Sequence, residues 1–179
     1  MSTQIERSRS GGFTLVEVLV AMSVMMILML IVGPPLAKFL QRSKLTGAVQ
    51  QTASLMRLAR IHAIKRSSWT AVRIQPAATP PHATAFVDMD RDRQFDSGEP
   101  VLGTVLLERG ITFLAPDGFA VFQENGGLES SGDFRFTDAK GNEMEVRVEQ
   151  AATGKIGICK YENGVCIKRG QGGEVWTWK

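Results

Sequence analysis

Phe13 to Val32 is an unbroken apolar run of 20 residues that holds one charge, Glu17. A helix rises about 1.5 Å per residue, so the run reaches about 30 Å, the thickness of a bilayer's hydrocarbon core. Only Thr14, Glu17 and Ser23 within it are polar. A secretory signal has a shorter, uncharged apolar region followed by a small-residue cleavage site. Here Gly33-Pro34-Pro35-Leu36 follows instead. A buried helix of a water-soluble protein with no polar face would be unusual at this length. The run therefore predicts a transmembrane helix.

Glu17 needs a reason to be there. A carboxylate in hydrocarbon is costly unless paired or protonated, which makes an intramembrane acid a functional candidate. Residues 13–37 hold no other ionisable side chain. Its partner is expected from another chain, or from an amino terminus freed by cleavage nearby. The first twelve residues are short, polar and weakly basic, and end in Gly11-Gly12. Glycines leave the backbone unhindered for a protease. Cutting after Gly12 would free the Phe13 amine, one helical turn from Glu17.

Gly12 followed by Phe13-Thr14-Leu15-Val16-Glu17 resembles the class III prepilin signal of type IV pilins and type II secretion pseudopilins. The resemblance implies that a prepilin peptidase cuts after Gly12 and N-methylates Phe13. It also implies that Glu17 pairs with the Phe13 amine of a neighbouring subunit during assembly. Further phrases narrow the likeness to the GspH/FimT group of minor pilins and pseudopilins. They are Leu58-Ala59-Arg60 with Ala63-Ile64-Lys65-Arg66, Phe86-Val87-Asp88-Met89-Asp90, Gly98-Glu99-Pro100-Val101-Leu102, and Ala152-Thr153-Gly154-Lys155-Ile156. Such proteins are structural subunits at the fibre tip that prime assembly, not enzymes. Expected partners are other pilins or pseudopilins, the peptidase and the inner-membrane assembly platform.

The implied location is the bacterial inner membrane, single-pass, with a cytoplasmic N-terminus and a periplasmic globular domain. Counting Arg7 and Arg9 against Lys38, Arg42 and Lys44 weakly favours the opposite orientation. The peptidase motif is the more specific of the two signals.

The net charge of +3 conceals a split. Residues 1–87 carry 10 Lys+Arg and 2 Asp+Glu, a net of +8, and residues 88–179 carry 11 and 16, a net of −5. A basic front and an acidic back would attract one another within or between subunits of a fibre. The 179-residue length bounds the chain to about one domain with an appendage. Two cysteines exclude a disulfide-dense scaffold and a four-cysteine zinc site.

Gly33-Pro34-Pro35 is expected to kink or partly unwind the helix, because proline lacks an N–H and clashes with the preceding turn. Helical periodicity resumes in the apolar stripe Leu45, Val49, Thr52, Met56, Ala59 and Ala63. Lys44, Arg57, Arg60, Lys65 and Arg66 lie largely off that stripe and read as a solvated or subunit-facing surface. From Trp69 the pattern shifts to about ten short β-type runs, among them Phe134-Arg135-Phe136, Met144–Val148 and a last one at Glu174–Trp178. These runs suggest one or two antiparallel sheets. The expected class is α+β and pilin-like: a long N-terminal helix, transmembrane then amphipathic, packed on a C-terminal antiparallel β domain. The expected boundaries are a leader at 1–12, the membrane helix at 13–33, the amphipathic helix at 34–66 and the globular domain at 67–179.

Three side-chain groups admit further chemistry. Asp88, Asp90, Asp92, Gln94, Asp96 and Glu99 fall at positions 1, 3, 5, 7, 9 and 12 of an EF-hand-like calcium loop. Against calcium stand Arg93 at the glycine position, the neutralising charges of Arg91 and Arg93, and a preceding strand. The alternative is a solvated acidic hairpin, with no cofactor required. Cys159 and Cys166 lie opposite one another if Glu162-Asn163 makes the turn and offset if Asn163-Gly164 does. An oxidising compartment favours a bridge, and reduced thiols are the alternative. Some FimT-like pilins bind DNA through Gly-Arg-x-Arg. The matching stretch here, Gly154-Lys155-Ile156-Gly157, lacks both arginines, which leaves a modest patch of Lys155, Lys160, Lys168 and Arg169. His62 and His82 form no catalytic spacing.

Overall fold

The computed structural model describes residues 13–107, 110–114, 118–130, 132–162 and 164–168. The leader, Gly12, Arg169 and the run Glu174–Trp178 lie outside them. One helix, α1, spans Leu15–Arg66. The chain forms two compact units, Met1–Leu40 and Gln41–Lys179.

In the first unit, Leu15–Val32 is long and apolar enough to cross a membrane, and none of it is buried within the protein. Helix continues through Gly33-Pro34-Pro35 without the expected unwinding. Each proline forfeits only its own donor, and the remaining N–H groups of the turn can continue the ladder.

In the second unit the rest of α1 packs on β structure. Leu45, Val49, Thr52, Met56, Ala59 and Ala63 are each fully buried. Ala48 and Ala53 join them, and small side chains let the helix approach the sheets closely. Ser67 ends the helix in the left-handed region at φ 47°, and the Ser68 N–H donates to the Ala63 carbonyl at 3.2 Å. This is the bond of a Schellman cap, made with serine where glycine is usual.

Among the described residues nine strands follow. They are β1 (Thr70–Gln75), β2 (His82–Val87), β3 (Val101–Leu106), β4 (Ile111–Leu114), β5 (Phe119–Phe122), β6 (Phe134–Asp138), β7 (Glu143–Gln150), β8 (Lys155–Glu162) and β9 (Val165–Lys168). They form a four-stranded sheet in the order β3-β2-β1-β5 and a five-stranded sheet in the order β4-β6-β7-β8-β9. The pairings are antiparallel.

The helix stripe shares one core with Val72, Ile74, Ala83 and Ala85 of the first sheet and Phe134, Phe136, Met144 and Val146 of the second. Strand alternation sends Ala71, Phe86 and Val121 to the opposite face of the first sheet. That face carries the acidic connection. In the second sheet Arg135, between two buried phenylalanines, turns to the other side. There it meets Glu145 at 3.2 Å and lies 3.5 Å from the Tyr161 ring centroid.

Candidate functional site

The start of α1 is capped from within. The Thr14 N–H and hydroxyl both donate to Glu17 Oε2 at 3.0 Å, and the Glu17 N–H donates to Thr14 Oγ1 at 3.2 Å. This is a capping box, in which residues three apart satisfy each other's open donors at a helix N-terminus. Thr14 thus gives Glu17 two neutral hydrogen-bond donors within its own chain. The Thr-x-x-Glu spacing before an apolar run was the signal that could have found this cap. Phe13 is 88% exposed.

The β2–β3 connection, residues 88–100, is built on aromatic anchors. Phe95 packs edge-on against Phe86 with ring centroids 5.4 Å apart. The Arg91 guanidinium lies 4.4 Å from the Trp69 ring centroid and 3.5 Å from Glu124. Arg93 lies over Phe119 at 5.5 Å and 3.9 Å from Glu129. The two arginines were expected to neutralise the loop's acids. They pair instead with acids from the segment after β5, because cation–π contact draws them over the sheet. Both residues take positive φ, 65° at Arg91 and 68° at Arg93, so the glycine-like turn expected at position 93 forms with arginine.

With the cations drawn off, backbone donors hold the carboxylates. Asp88 Oδ2 accepts from the Arg93 N–H at 3.3 Å, and Asp90 Oδ1 accepts from the Asp92 N–H at 3.3 Å. Asp92 Oδ1 accepts from the Gln94 N–H at 2.6 Å. Glu99 accepts from the Met89 N–H at 2.8 Å and the Asp96 N–H at 3.1 Å, one on each oxygen. Oxygens of Asp88, Asp90 and Glu99 lie within 4.8 Å of one another, as do those of Asp90, Asp92 and Asp96. Asp90 thus belongs to both trios. The frame is a strand–loop–strand hairpin, not an EF-hand's helix pair. Burial pushes the Asp88 carboxyl above its ordinary range; the Arg93 and Arg91 N–H groups oppose the shift, and Glu99 and Asp90 reinforce it. Asp96 is raised first by the charge of Asp92, then by desolvation and by Asp90 and Glu99.

Cys159 and Cys166 are joined in a disulfide, with Cα atoms 5.4 Å apart. Glu162 pairs with Val165 and Tyr161 with Cys166, so the offset arrangement holds and the bridge runs diagonally across one face. Of the basic patch, Lys155 and Lys168 both pair with Glu149, at 3.3 and 2.7 Å. Lys160 is buried and pairs with Glu162 at 3.0 Å. The hydrogen bond from Lys168, then that from Lys155, holds the Glu149 carboxyl below its ordinary range against the opposing effect of desolvation.

Arg60 was grouped with the solvated charges. It is half-buried, and its Nε donates to the Gly126 carbonyl at 3.1 Å. No periodicity in the sequence distinguishes it from Arg57.

Residues 7–33 match the prokaryotic N-terminal methylation motif, and residues 48–154 match type II transport protein GspH. The fold is similar to that of the type IV minor pilin FimU of Pseudomonas aeruginosa, with a TM-score of 0.50 and 14% identity over 72% of this chain and 96% of that one. It also resembles the minor pseudopilin EpsH of the Vibrio cholerae Type 2 Secretion System, with a TM-score of 0.48 and 12% identity over 65% of this chain and 97% of that one. No curated protein sequence matches.

Proposed function

This chain belongs to the family described as type II transport protein GspH, and on that premise we propose that it enters a fibre through its N-terminal helix, as a subunit of a type II secretion pseudopilus or a type IV pilus. It is a minor pilin or pseudopilin of the GspH type. In the proposed role it stands at the tip, primes assembly and acts mechanically. The observation that carries the reading is the methylation motif at residues 7–33, which contains the apolar stretch Leu15–Val32, none of it buried within the protein.

In that role the peptidase removes residues 1–12 and methylates Phe13. Glu17 then has two tasks. Oε2 caps its own helix through Thr14. Oε1 is left to meet the Phe13 amine of the next subunit and set the axial register. The anchored helix leaves the N-terminus in the cytoplasm and the β domain in the periplasm, where the Cys159–Cys166 bridge is stable. The chain docks on the inner-membrane platform before it is extruded.

Co-expression with a prepilin peptidase tests this reading by mass spectrometry of the mature chain. Cleavage after Gly12 with one added methyl on Phe13 is expected, together with loss of fibre incorporation in Glu17→Ala. An unprocessed chain, or normal incorporation of that variant, refutes it. In a deletion strain, a defect in protein secretion assigns the pseudopilus and a defect in surface fibres assigns the pilus. DNA uptake is the weaker alternative. A phosphate-tracking surface needs several free cations, and Glu149 and Glu162 already engage Lys155, Lys168 and Lys160.

A further inference from the structure

We propose that the β2–β3 connection is a divalent-cation site of the calcium class, held by Asp88, Asp90 and Glu99. The decisive observation is Asp88. It is only 2% exposed, and its Oδ1 has no hydrogen-bond partner. A buried carboxylate oxygen without a donor is strongly disfavoured unless a cation or a proton meets it. The oxygens of Asp90 and Glu99 gather with it within 4.8 Å. Two carboxylates brought against a buried third repel one another, which a bound dication reverses.

The cations that the sequence places in this loop are engaged elsewhere. Arg91 pairs with Glu124 and Arg93 with Glu129, each over an aromatic ring. Among the described residues neither forms an ion pair with Asp88, Asp90 or Glu99. The three carboxylates are instead oriented by backbone N–H groups of Arg93, Asp92, Met89 and Asp96. A carboxylate oxygen that accepts one N–H keeps a lone pair for a metal.

The donor set selects the ion. The cluster offers only oxygen, which suits hard cations and not zinc or copper. Calcium takes 6–8 oxygens in irregular geometry, whereas magnesium demands a near-ideal octahedron and keeps its water. Asp92 and Asp96, which form the second trio with Asp90, supply further oxygens beside the first. Two trios sharing one residue suit a large, adaptable ion.

The test uses the full chain in detergent, stripped with chelator, and titrated with CaCl₂ or MgCl₂ by calorimetry with parallel thermal melts. Saturable Ca²⁺ binding in the range of extracellular modules is expected, with a Kd of about 10⁻⁴–10⁻³ M and at least roughly tenfold weaker Mg²⁺ binding. The melting temperature should rise with Ca²⁺. Asp90 is exposed, so Asp90→Asn is expected to fold, to lose at least about tenfold in Ca²⁺ affinity and to lose the Ca²⁺-dependent melting shift. Asp88→Asn should abolish binding. No saturable heat up to about 10 mM Ca²⁺ overturns the proposal. So does an unchanged Kd in Asp90→Asn, or Mg²⁺ bound as tightly as Ca²⁺. A calcium-independent gain in stability in Asp88→Asn, without binding in the native chain, would assign the proton in place of the metal.

Discussion

Replacing Gly154 by alanine isolates the contact that pins α1 to the loops beneath it. Gly154 has φ 61°, and a Cβ there would strike the Gly126 carbonyl oxygen and come 2.8 Å from Arg60 Nε. Two costs follow. An alanine in the left-handed region loses about 1–2 kcal/mol. Displacing the Gly126 carbonyl breaks the charged hydrogen bond from Arg60, worth about 1.5–3 kcal/mol. The expected loss is therefore roughly 2.5–5 kcal/mol. Gly141 is the matched control: its φ is 76°, and a Cβ there meets nothing within 4 Å. Gly141→Ala should lose only the backbone share, about 1–2 kcal/mol. Urea unfolding of the full chain in detergent, followed by tryptophan fluorescence, measures both, and an unchanged m-value licenses the comparison. Equal losses in the two variants, within about 0.5 kcal/mol, would refute the claim that the Arg60–Gly126 bond carries weight.

Reducing the Cys159–Cys166 bridge opens a short loop, for which chain entropy assigns about 2.5 kcal/mol. Urea midpoints with and without reductant measure it, and a change below about 0.5 kcal/mol would show the bridge to be passive. Glu149 is held below the ordinary carboxylate range, mainly by Lys168, so it contributes stability above its unfolded value and loses that contribution as pH falls through the folded one. The stability difference between native chain and Glu149→Gln should thus be full at neutral pH and shrink below about pH 4. A difference independent of pH would assign Glu149 a packing role only.

Elements set by local periodicity were readable from the chain alone. The stripe from Leu45 to Ala63 is the buried face of α1 because one helical period selects it. Strands β4 and β9 each begin directly after a glycine, Gly110 and Gly164. Sites that depend on distant partners were not readable. Spacing placed six candidate ligands and two arginines on one loop, but it could not show that Arg91 and Arg93 lie over Trp69 and Phe119. Spacing also left the cysteine turn open; the Glu162–Val165 pairing decides it. Arg57 and Arg60 look alike in sequence, and only the position of Gly126 separates them. Glu17 is the opposite case. Its capping partner Thr14 lies three residues away, in a Thr-x-x-Glu spacing that the chain shows directly.

Hairpin connections usually tolerate insertions and deletions, since they touch little but solvent. The β2–β3 connection does not fit that expectation. Phe95, Arg91 and Arg93 cover Phe86, Trp69 and Phe119, so this segment is the outer wall of the first sheet. A residue added or removed between Arg91 and Phe95 would misalign three ring contacts together and wet the Ala71–Phe86–Val121 cluster. The loop's length is therefore as constrained as that of a strand, and a library varying it should recover few soluble members.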